Sequence, residues 1–313
     1  MSSTVIVTGG AGFIGSHVVD AAIRDGKHVL VIDDLSSGSQ GRVAAEADLE
    51  CIDIVDQAAL DGVFDLAKPS AVFHLAAQSS VTVSVKDPGR DCDVNVHGTL
   101  NILEAAKRHR APVAFTSTGG ALYGNDAPIP TDEQRIPAPL APYGASKWAG
   151  EAYITTWARS SDLPHTVCRL GNVYGPRQSP HGEAGVISIF SHKLWRGENP
   201  VVFGHGRPTR DYIHVYDVVS ALLRASGTFG VFNVATGVET DVISLLALLQ
   251  AAAGTNVEPG LAPLREGELE RSCMNPAKAA RELGWKAEID LDAGIASTYS
   301  ALVAEFESGN QRG

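Results

Sequence analysis

The sequence predicts an α/β protein built on a doubly wound parallel sheet, with a smaller α/β region at its C-terminal end. Short strand-forming runs alternate with helical patterns as far as about residue 165, the rhythm of parallel strands with helices on both faces. A glycine-rich turn joins the first strand to the first helix. After residue 170 the elements shorten, and Gly, Pro and Arg become frequent between them. We therefore expect two regions, 1–170 and 171–313, with the chain crossing between them.

The predicted strands are rich in β-branched residues, and apolar positions at helical spacing separate them. We expect strands at 4–8, 28–33, 49–52, 71–75, 112–117 and 165–170. We expect helices at 12–25, 56–68, 88–109 and 143–161, and in the second region at 185–196, 215–226, 241–253, 276–283 and 292–307. These elements predict a sheet of six or seven strands. Prolines crowd residues 128–142, which indicates an ordered loop over the carboxyl edge of that sheet.

The turn after the first strand predicts a dinucleotide site. Gly9, Gly12 and Gly15 fit a G-x-x-G-x-x-G spacing that overlaps the G-x-G-x-x-G fingerprint. Such glycines allow a tight turn, close approach of backbone to a pyrophosphate, and close packing of helix on sheet. The following helix begins near Phe13 and Ile14, and its N-terminus offers unpaired N–H groups and a partial positive charge to the phosphates.

Asp33 ends the second predicted strand, 18 residues after Gly15. A carboxylate about 20 residues beyond the last glycine binds ribose hydroxyls in dinucleotide sites. Asp34 adds a second negative charge, and no Arg follows before Arg42. A 2′-phosphate would be repelled there, so NAD is favoured over NADP. The weaker alternative is a tight turn followed by a surface Asp.

Composition excludes several classes of protein. The chain has 313 residues, 44% hydrophobic, and a net charge of −11, which argues against nucleic acid and anionic membranes as partners. Its four cysteines are scattered without a C-x-x-C pair or a metal-ligand pattern, which favours free thiols in a reducing compartment and no metal site. We find no membrane-spanning stretch and no room for a signal peptide before the first strand, so we expect a cytoplasmic protein.

Tyr143 and Lys147 lie four residues apart at the start of a predicted helix, so their side chains share one face. A phenol has a pKa of about 10, and it acts as a base near neutral pH only where its anion is stabilised. An ammonium and a positive nicotinamide ring would both stabilise it, and Lys147 could also bind the nicotinamide ribose. The alternative is an ordinary exposed helix, since Y-x-x-x-K is common by chance. Its place downstream of a dinucleotide turn favours catalysis.

Two hydroxyl side chains end the fifth predicted strand, Ser117 and Thr118. They leave the carboxyl edge of a central strand, where a substrate hydroxyl would be polarised. Thr118 is the first choice for that role and Ser117 the second. The alternative is that both hydroxyls bond only to local backbone, as Ser and Thr often do in turns.

Together these motifs resemble the extended short-chain dehydrogenase/reductases of the NAD-dependent epimerase/dehydratase family, and within it the UDP-glucose 4-epimerase (UDP-galactose 4-epimerase) branch. The family has a Rossmann sheet. The matching segments cover nearly the whole chain: residues 8–17, 33, 53–54, 74–78, 95–99, 117–124, 143–147, 172–177 and 210–215.

The resemblance implies a role for each matching residue. Asp53 and Ile54 lie beside the adenine, Leu75, Ala76, Ala77 and Gln78 line the centre of the cofactor, and Asn95 lies near it. Tyr143 is the general base, Lys147 its partner, and Ser117 or Thr118 assists the proton transfer. In the substrate site, Asn172, Arg210 and Arg265 hold the diphosphate, Phe203 lies beside the uracil, Glu268 binds its ribose, and Val186 completes the lining.

Physical chemistry agrees with the diphosphate clamp. Guanidinium groups match phosphate oxygens in bidentate fashion, so Arg210 and Arg265 would give an acidic protein a local site for a dianionic sugar nucleotide. Either Arg could instead form a surface ion pair. Phe203 could equally be a core residue.

The sequence departs from the family at the end of the fifth strand. Many epimerases carry Ser four residues before the pair that is here Tyr123–Gly124, and this chain has Gly119 there. Related 4,6-dehydratases resemble Thr-Asp-Glu at this point, whereas residues 119–121 supply no acid. Elimination and decarboxylation therefore lack their acid and base, which leaves reversible hydride transfer at one carbon.

The resemblance thus implies inversion of C4 of a UDP-hexose through a transient 4-keto sugar, with glucose and galactose favoured. Ser272 stands where the family has Tyr or a small residue, so N-acetylated sugars fit. Ser179 stands where glucuronate epimerases carry an Arg, which disfavours uronic acids. The alternatives are an epimerase for UDP-GlcNAc, UDP-glucuronate or dTDP-glucose, a nucleotide-sugar dehydratase or reductase, and a non-catalytic NAD sensor. The resemblance also implies a homodimer through helices 88–109 and 143–161.

Overall fold

A computed structural model describes residues 3–180, 185–264 and 269–310 of the chain. Within these ranges, seven parallel strands form one sheet in the order β11-β6-β5-β4-β1-β2-β3. The strands are β1 (Thr4–Thr8), β2 (His28–Ile32), β3 (Asp48–Glu50), β4 (Ala71–His74), β5 (Val113–Thr118), β6 (Thr166–Leu170) and β11 (Gly230–Val234). The predicted α/β fold with a doubly wound parallel sheet is confirmed.

Helices cover both faces of the sheet because its strands are apolar on both sides. On one face, α1 (Phe13–Arg24), α8 (Val215–Ala225) and α10 (Ala277–Leu283) contribute to one buried core. On the other face, α2 (Gln57–Ala67), α5 (Gly98–Arg108) and α6 (Pro142–Ser161) contribute to a second. These two cores hold the sheet and its helices together, and so they position the glycine turn after β1 and Tyr143 on α6.

The predicted helix at 88–109 is divided into three parts. It consists of α4 (Pro88–Cys92), a π turn at Asp93–His97, and α5. The π turn inserts a wider loop of backbone, a feature often found at functional sites. It places Asn95 on the buried side of the helix, where the residue is 2% exposed.

Short elements build the region beyond residue 170. The strands are β7 (Asn172–Tyr174), β8 (Val201–Phe203), β9 (Thr209–Arg210), β10 (Tyr212–His214), β12 (Thr240–Asp241) and β13 (Gly260–Ala262), and they pair two by two. Helices α7 (Val186–Trp195), α9 (Val242–Ala253) and α11 (Leu291–Asn310) pack around a third core. The division at residue 170 stays a prediction, and β11 shows that the chain returns to the main sheet after it.

One helix was not predicted, α3 (Val81–Lys86). Its sequence alternates Val with Thr or Ser, a pattern that favours strands. Ser80 starts the helix instead, because its hydroxyl accepts a hydrogen bond from the Val83 N–H at 2.9 Å. In the part of the chain that the structure describes, no helix is long and apolar enough to cross a bilayer.

Candidate active site

The glycine turn between β1 and α1 is built for close approach of backbone. Gly9 has φ +72°, and a Cβ there would lie 2.7 Å from the Ala76 nitrogen. A Cβ on Gly15 would lie 2.0 Å from the Gly9 carbonyl oxygen. No side chain caps the N-terminus of α1, whose N-cap residue is Gly12. The turn therefore leaves helix N–H groups for an anionic ligand.

Asp33 holds this turn from the end of β2. Its Oδ2 accepts a hydrogen bond from the Ala11 N–H at 3.0 Å, and its Oδ1 accepts one from the Leu35 N–H at 2.9 Å. The residue is 7% exposed, and burial raises the pKa of its carboxyl while the two N–H donors act against that rise. A carboxylate fixed in this way is preorganised to accept ribose hydroxyls.

A cavity of about 410 Å³ opens beside the turn at the carboxyl edge of the sheet. Its lining includes these predicted cofactor residues: Gly9, Gly12, Phe13, Ile14, Gly15, Asp33, Asp53, Ile54, Leu75, Ala76, Ala77 and Gln78. The structure adds Arg90, which no sequence pattern indicated. Its guanidinium lies 3.6 Å from a carboxylate oxygen of Asp53. The cavity has the glycine cradle and the ribose carboxylate that a dinucleotide requires.

Asn95 lies behind this cavity and holds one of its walls. Its Oδ1 accepts from the Gln78 N–H at 2.9 Å, and its Nδ2 donates to the Gln78 carbonyl oxygen at 2.9 Å. The same Nδ2 donates to the Ser146 hydroxyl at 3.0 Å, which links the wall to α6. Asn95 thus ties the backbone of Gln78 to the helix that carries Tyr143 and Lys147.

Tyr143 stands in the first turn of α6, and its phenol lies close to the Thr118 hydroxyl at the end of β5. Burial raises the pKa of Tyr143 to about 12, and the interaction with Thr118 opposes that rise. Ser117 points elsewhere: its buried hydroxyl has no hydrogen-bond partner among the described residues. The structure therefore brings Thr118, and not Ser117, to Tyr143.

Lys147 lies one turn further along α6 and is 3% exposed. Its ammonium lies 4.2 Å from the centre of the Phe115 ring, a cation–π contact. Burial lowers the pKa of Lys147 to about 7, and the carboxylates of Glu151 and Asp91 act to raise it. An ammonium at this position stabilises a phenolate on the same helix face.

A buried ion pair anchors α6 to the sheet. The Arg169 guanidinium on β6 donates to Glu151 on α6, with the shortest contact 2.6 Å, and both side chains are almost fully buried. Arg169 also donates to the Tyr123 hydroxyl at 2.8 Å, and that hydroxyl donates to Asn233 on β11 at 2.9 Å. One network thus holds two strands, the loop after β5 and helix α6, and no spacing in the sequence indicated it.

The predicted substrate residues lie on separate elements of the second region. Asn172 begins β7, Val186 begins α7, Phe203 ends β8 and Arg210 ends β9. Asn172 faces the loop after β5, since its side-chain oxygen lies 3.4 Å from where a Cβ of Gly120 would be. Arg265 and Glu268 lie outside the described residues.

Asp211 explains the order around Arg210. It is 1% exposed, and its carboxylate accepts N–H bonds from Thr236 at 2.8 Å, Gly237 at 2.9 Å and Met274 at 3.3 Å. The carboxylate therefore ties the loop at Thr236–Gly237 and the segment at Met274 to the end of β9, where Arg210 lies.

The departure at Gly119 has a structural reason. A Cβ on Gly119 would lie 1.8 Å from the sulfur of Met274, which is 1% exposed. Met274 therefore fills the space that a side chain at position 119 would need. The hydroxyl that reaches Tyr143 comes from the preceding residue, Thr118.

The chain is similar to one family of proteins over most of its length. Residues 5–235 match the model of the NAD dependent epimerase/dehydratase family. The UDP-glucose 4-epimerase of Mycolicibacterium smegmatis is 44% identical over 302 residues, which cover 94% of this chain and 96% of that protein.

Two solved structures are similar over almost their full length. The UDP-glucose 4-epimerase of Thermotoga maritima with UDP-glucose has a TM-score of 0.94 and 42% identity, covering 97% of this chain and 99% of that one. The UDP-glucose 4-epimerase of Thermus thermophilus in complex with NAD has a TM-score of 0.90 and 38% identity, covering 96% and 98%.

Proposed function

Because this chain belongs to the NAD dependent epimerase/dehydratase family, we propose that it interconverts UDP-glucose and UDP-galactose by inverting C4 of the sugar. NAD is the cofactor. The observation that carries the proposal is the approach of the Tyr143 phenol to the Thr118 hydroxyl, at the carboxyl edge of the sheet whose glycine turn forms the dinucleotide cavity. The relatives named above are UDP-glucose 4-epimerases, and the one from Thermotoga maritima is in complex with UDP-glucose.

The residues of this site divide the work. Bound NAD accepts a hydride from C4 and returns it. Tyr143 takes the proton of the C4 hydroxyl as the hydride leaves, and it returns that proton after the 4-keto sugar has presented its other face. Thr118 donates a hydrogen bond to the phenolate, and the Lys147 ammonium stabilises its charge. Asp33 and the glycine turn would hold the cofactor's ribose and pyrophosphate.

The competing hypothesis within the same superfamily is that the protein is a dehydratase. That chemistry needs a carboxylic acid and a base near C5 and C6, and Gly119, Gly120 and Ala121 supply neither. Met274 occupies the space beside Gly119, so position 119 has no room for an added acid. An intact Tyr143 and Lys147 equally weigh against a non-catalytic NAD sensor.

Substrate choice extends this proposal. Neutral hexoses fit because Ser179 stands where a carboxylate-binding Arg would serve a uronic acid. Ser272 is small, which leaves space for an N-acetyl group, so UDP-GlcNAc is the second candidate substrate. Arg210, Arg265 and Asn172 would hold the diphosphate, with Phe203 and Val186 lining the nucleoside end and Glu268 on its ribose.

A homodimer is part of the proposal. Trp148 and Tyr153 on α6 are 39% and 37% exposed, so both leave apolar ring surface in contact with solvent. Burying them against the α4–α5 and α6 helices of a second copy would form a four-helix bundle. The molar mass in solution, measured by light scattering, tests this. A mass of one chain would contradict it.

We also propose that the protein is cytoplasmic and that it serves galactose metabolism. All four cysteines are free thiols, as they would be in a reducing compartment. Their oxidation state in protein freshly extracted from its source cells tests the assignment.

The decisive experiment uses the purified protein and UDP-galactose with no NAD added. We expect conversion to UDP-glucose, because an epimerase regenerates its cofactor each turnover and keeps it bound. No 4-keto-6-deoxy sugar should form. The control is Tyr143→Phe, which removes the base and leaves the NAD cavity intact: turnover should fall by about 10²–10⁴-fold while NAD stays bound. A stable keto product, or full activity in that variant, would overturn the proposal. Parallel assays with UDP-GlcNAc, UDP-glucuronate and dTDP-glucose set the substrate range.

A further inference from the structure

Asp91 is a buried carboxylate that the proposed mechanism does not use. It lies near the end of α4 and is 1% exposed. Its Oδ1 accepts hydrogen bonds from the side-chain amides of Gln78 at 2.6 Å and Asn95 at 3.2 Å. Both donors are neutral. Among the described residues, no Lys or Arg lies within ion-pair distance of Asp91, so its charge is not neutralised by contact.

Asp91 acts electrostatically on two groups of α6, Tyr143 and Lys147. Lys147 also faces Glu151 on its own helix, but Glu151 is bound by Arg169 of β6. His74 on β4 faces Lys147 as well, and burial keeps it neutral by lowering its pKa to about 3. Lys147 is therefore the cation left to balance the carboxylate of Asp91.

Both side chains are almost fully buried, so solvent screens the two charges little. Burial lowers the pKa of Lys147 to about 7, and the negative charge of Asp91 raises it. The same charge also raises the pKa of Tyr143. A buried carboxylate thus keeps the ammonium protonated near neutral pH, and it makes the neighbouring phenol a stronger base once ionised.

We propose that Asp91 is a positioning residue of the catalytic site, whose buried charge holds Lys147 as an ammonium and whose hydrogen bonds hold Gln78 and Asn95 in place. The proposal rests on the proposed function, in which Tyr143 and Lys147 carry the proton transfer. It adds a carboxylate that touches neither sugar nor cofactor and sets the pH range in which the pair works.

Hydrogen bonding alone is the competing explanation for a buried Asp here. Asparagine separates the two, because Asp91→Asn keeps an acceptor for Gln78 and Asn95 and removes the charge. Asp93→Asn is the matched control. Asp93 lies two residues further along the same helix, but its side chain is 61% exposed and paired with His97 at 3.1 Å, so solvent screens its charge.

The primary measurement is the titration of Lys147 in the NAD-bound protein, without substrate. Lysine labelled with carbon-13 at Cε gives a resonance that titrates near neutral pH and is absent from Lys147→Met. We expect Asp91→Asn to shift this midpoint down by about one pH unit, and Asp93→Asn to leave it in place. An unchanged midpoint in Asp91→Asn would overturn the proposal.

The pH dependence of kcat is the second measurement. Its two limbs report the apparent pKa values of the coupled pair. Removing one negative charge lowers both, so both limbs should move toward lower pH together in Asp91→Asn. If kcat falls at every pH and both limbs of the pH profile stay in place, Asp91 acts only through its hydrogen bonds. The proposal would then fail.

Asp91→Glu keeps the charge and serves as the second variant. Its Lys147 midpoint should match the wild type even if packing lowers kcat. A downward shift in Asp91→Glu contradicts the proposal, whether or not Asp91→Asn folds. Because the lysine titration needs no sugar, a protein inactive on every nucleotide sugar would refute the proposed function and still test Asp91.

Discussion

Substituting Gly119 with alanine tests how tightly the end of β5 is packed. The added Cβ would lie 1.8 Å from the sulfur of Met274 and 2.4 Å from its terminal carbon. Ordinary carbon contacts need about 3.5–4.0 Å. The Met274 side chain must therefore move by roughly 2 Å, yet it is 1% exposed and packed with Tyr123 and Ala235.

The expected energies follow from this geometry. Overpacking a filled core costs about 1–3 kcal/mol, so Gly119→Ala should lower the free energy of unfolding by that amount. Met274→Ala should lower it by about 2–5 kcal/mol, because it leaves a cavity. In the double variant the new methyl enters the vacated space. The free energy of unfolding of the double variant should then be close to that of Met274→Ala alone.

Activity should fall in Gly119→Ala for the same geometric reason. Thr118 directly precedes Gly119 and reaches Tyr143, so displacing this strand end misplaces the hydroxyl. A misplacement of about 1 Å can cost up to about 100-fold in rate. We expect kcat to fall at least about tenfold in Gly119→Ala and to recover in part in the double variant.

Urea unfolding of the four proteins is the assay, with saturating NAD in every sample because ligand binding shifts apparent stability. The coupling between the two positions is the quantity to compare. If the losses of the single variants add in the double variant to within about 0.5 kcal/mol, Met274 does not limit position 119 and the reasoning is refuted.

Three other outcomes are expected. Asp33→Asn replaces an oxygen acceptor that serves the turn and the ribose, so NAD affinity by calorimetry should fall at least about tenfold; unchanged affinity would separate Asp33 from the cofactor. Glu151→Gln leaves Arg169 as an uncompensated buried charge, so the free energy of unfolding in urea should fall by about 3–5 kcal/mol, and a loss below 1 kcal/mol would contradict this. Burial lowers the pKa of His74 to about 3 and of His165 to about 4, from 6.5. The unfolded chain therefore takes up these protons first as pH falls, so stability should be complete above pH 6.5 and fall toward pH 4 by up to about 1.4 kcal/mol per pH unit for each histidine; equal urea midpoints at pH 7.5 and pH 5 would refute this.

The cofactor cavity was predictable because its determinants are local in sequence. The glycines, Asp33 and the segments at 53–54 and 75–78 each follow a strand of the sheet, so their spacing along the chain already places them at one edge. The choice between Ser117 and Thr118 was not, because neighbouring strand residues point to opposite faces and the sequence does not say which face meets α6.

Contacts between distant residues escaped prediction. Arg169 meets Glu151, and Met274 fills the space over Gly119, through packing that no spacing rule encodes. Asp91 shows no motif either: its proposed role rests on its burial and on its hydrogen bonds to Gln78 and Asn95. A sequence predicts such polar residues to lie on the surface. Their roles become visible only when the structure shows that they are buried.

The return of the chain to the main sheet limits how this protein can be divided. β11 pairs along the whole of β6, whose five residues are all buried. A fragment cut at residue 170 would lack β11 and would leave the unpaired edge of β6 exposed to solvent. Exposed strand edges of this kind pair with other chains and cause aggregation. The nucleotide-binding half is therefore not a module that can be excised and grafted by itself; any chimera with a relative must carry residues 215–234 along with it.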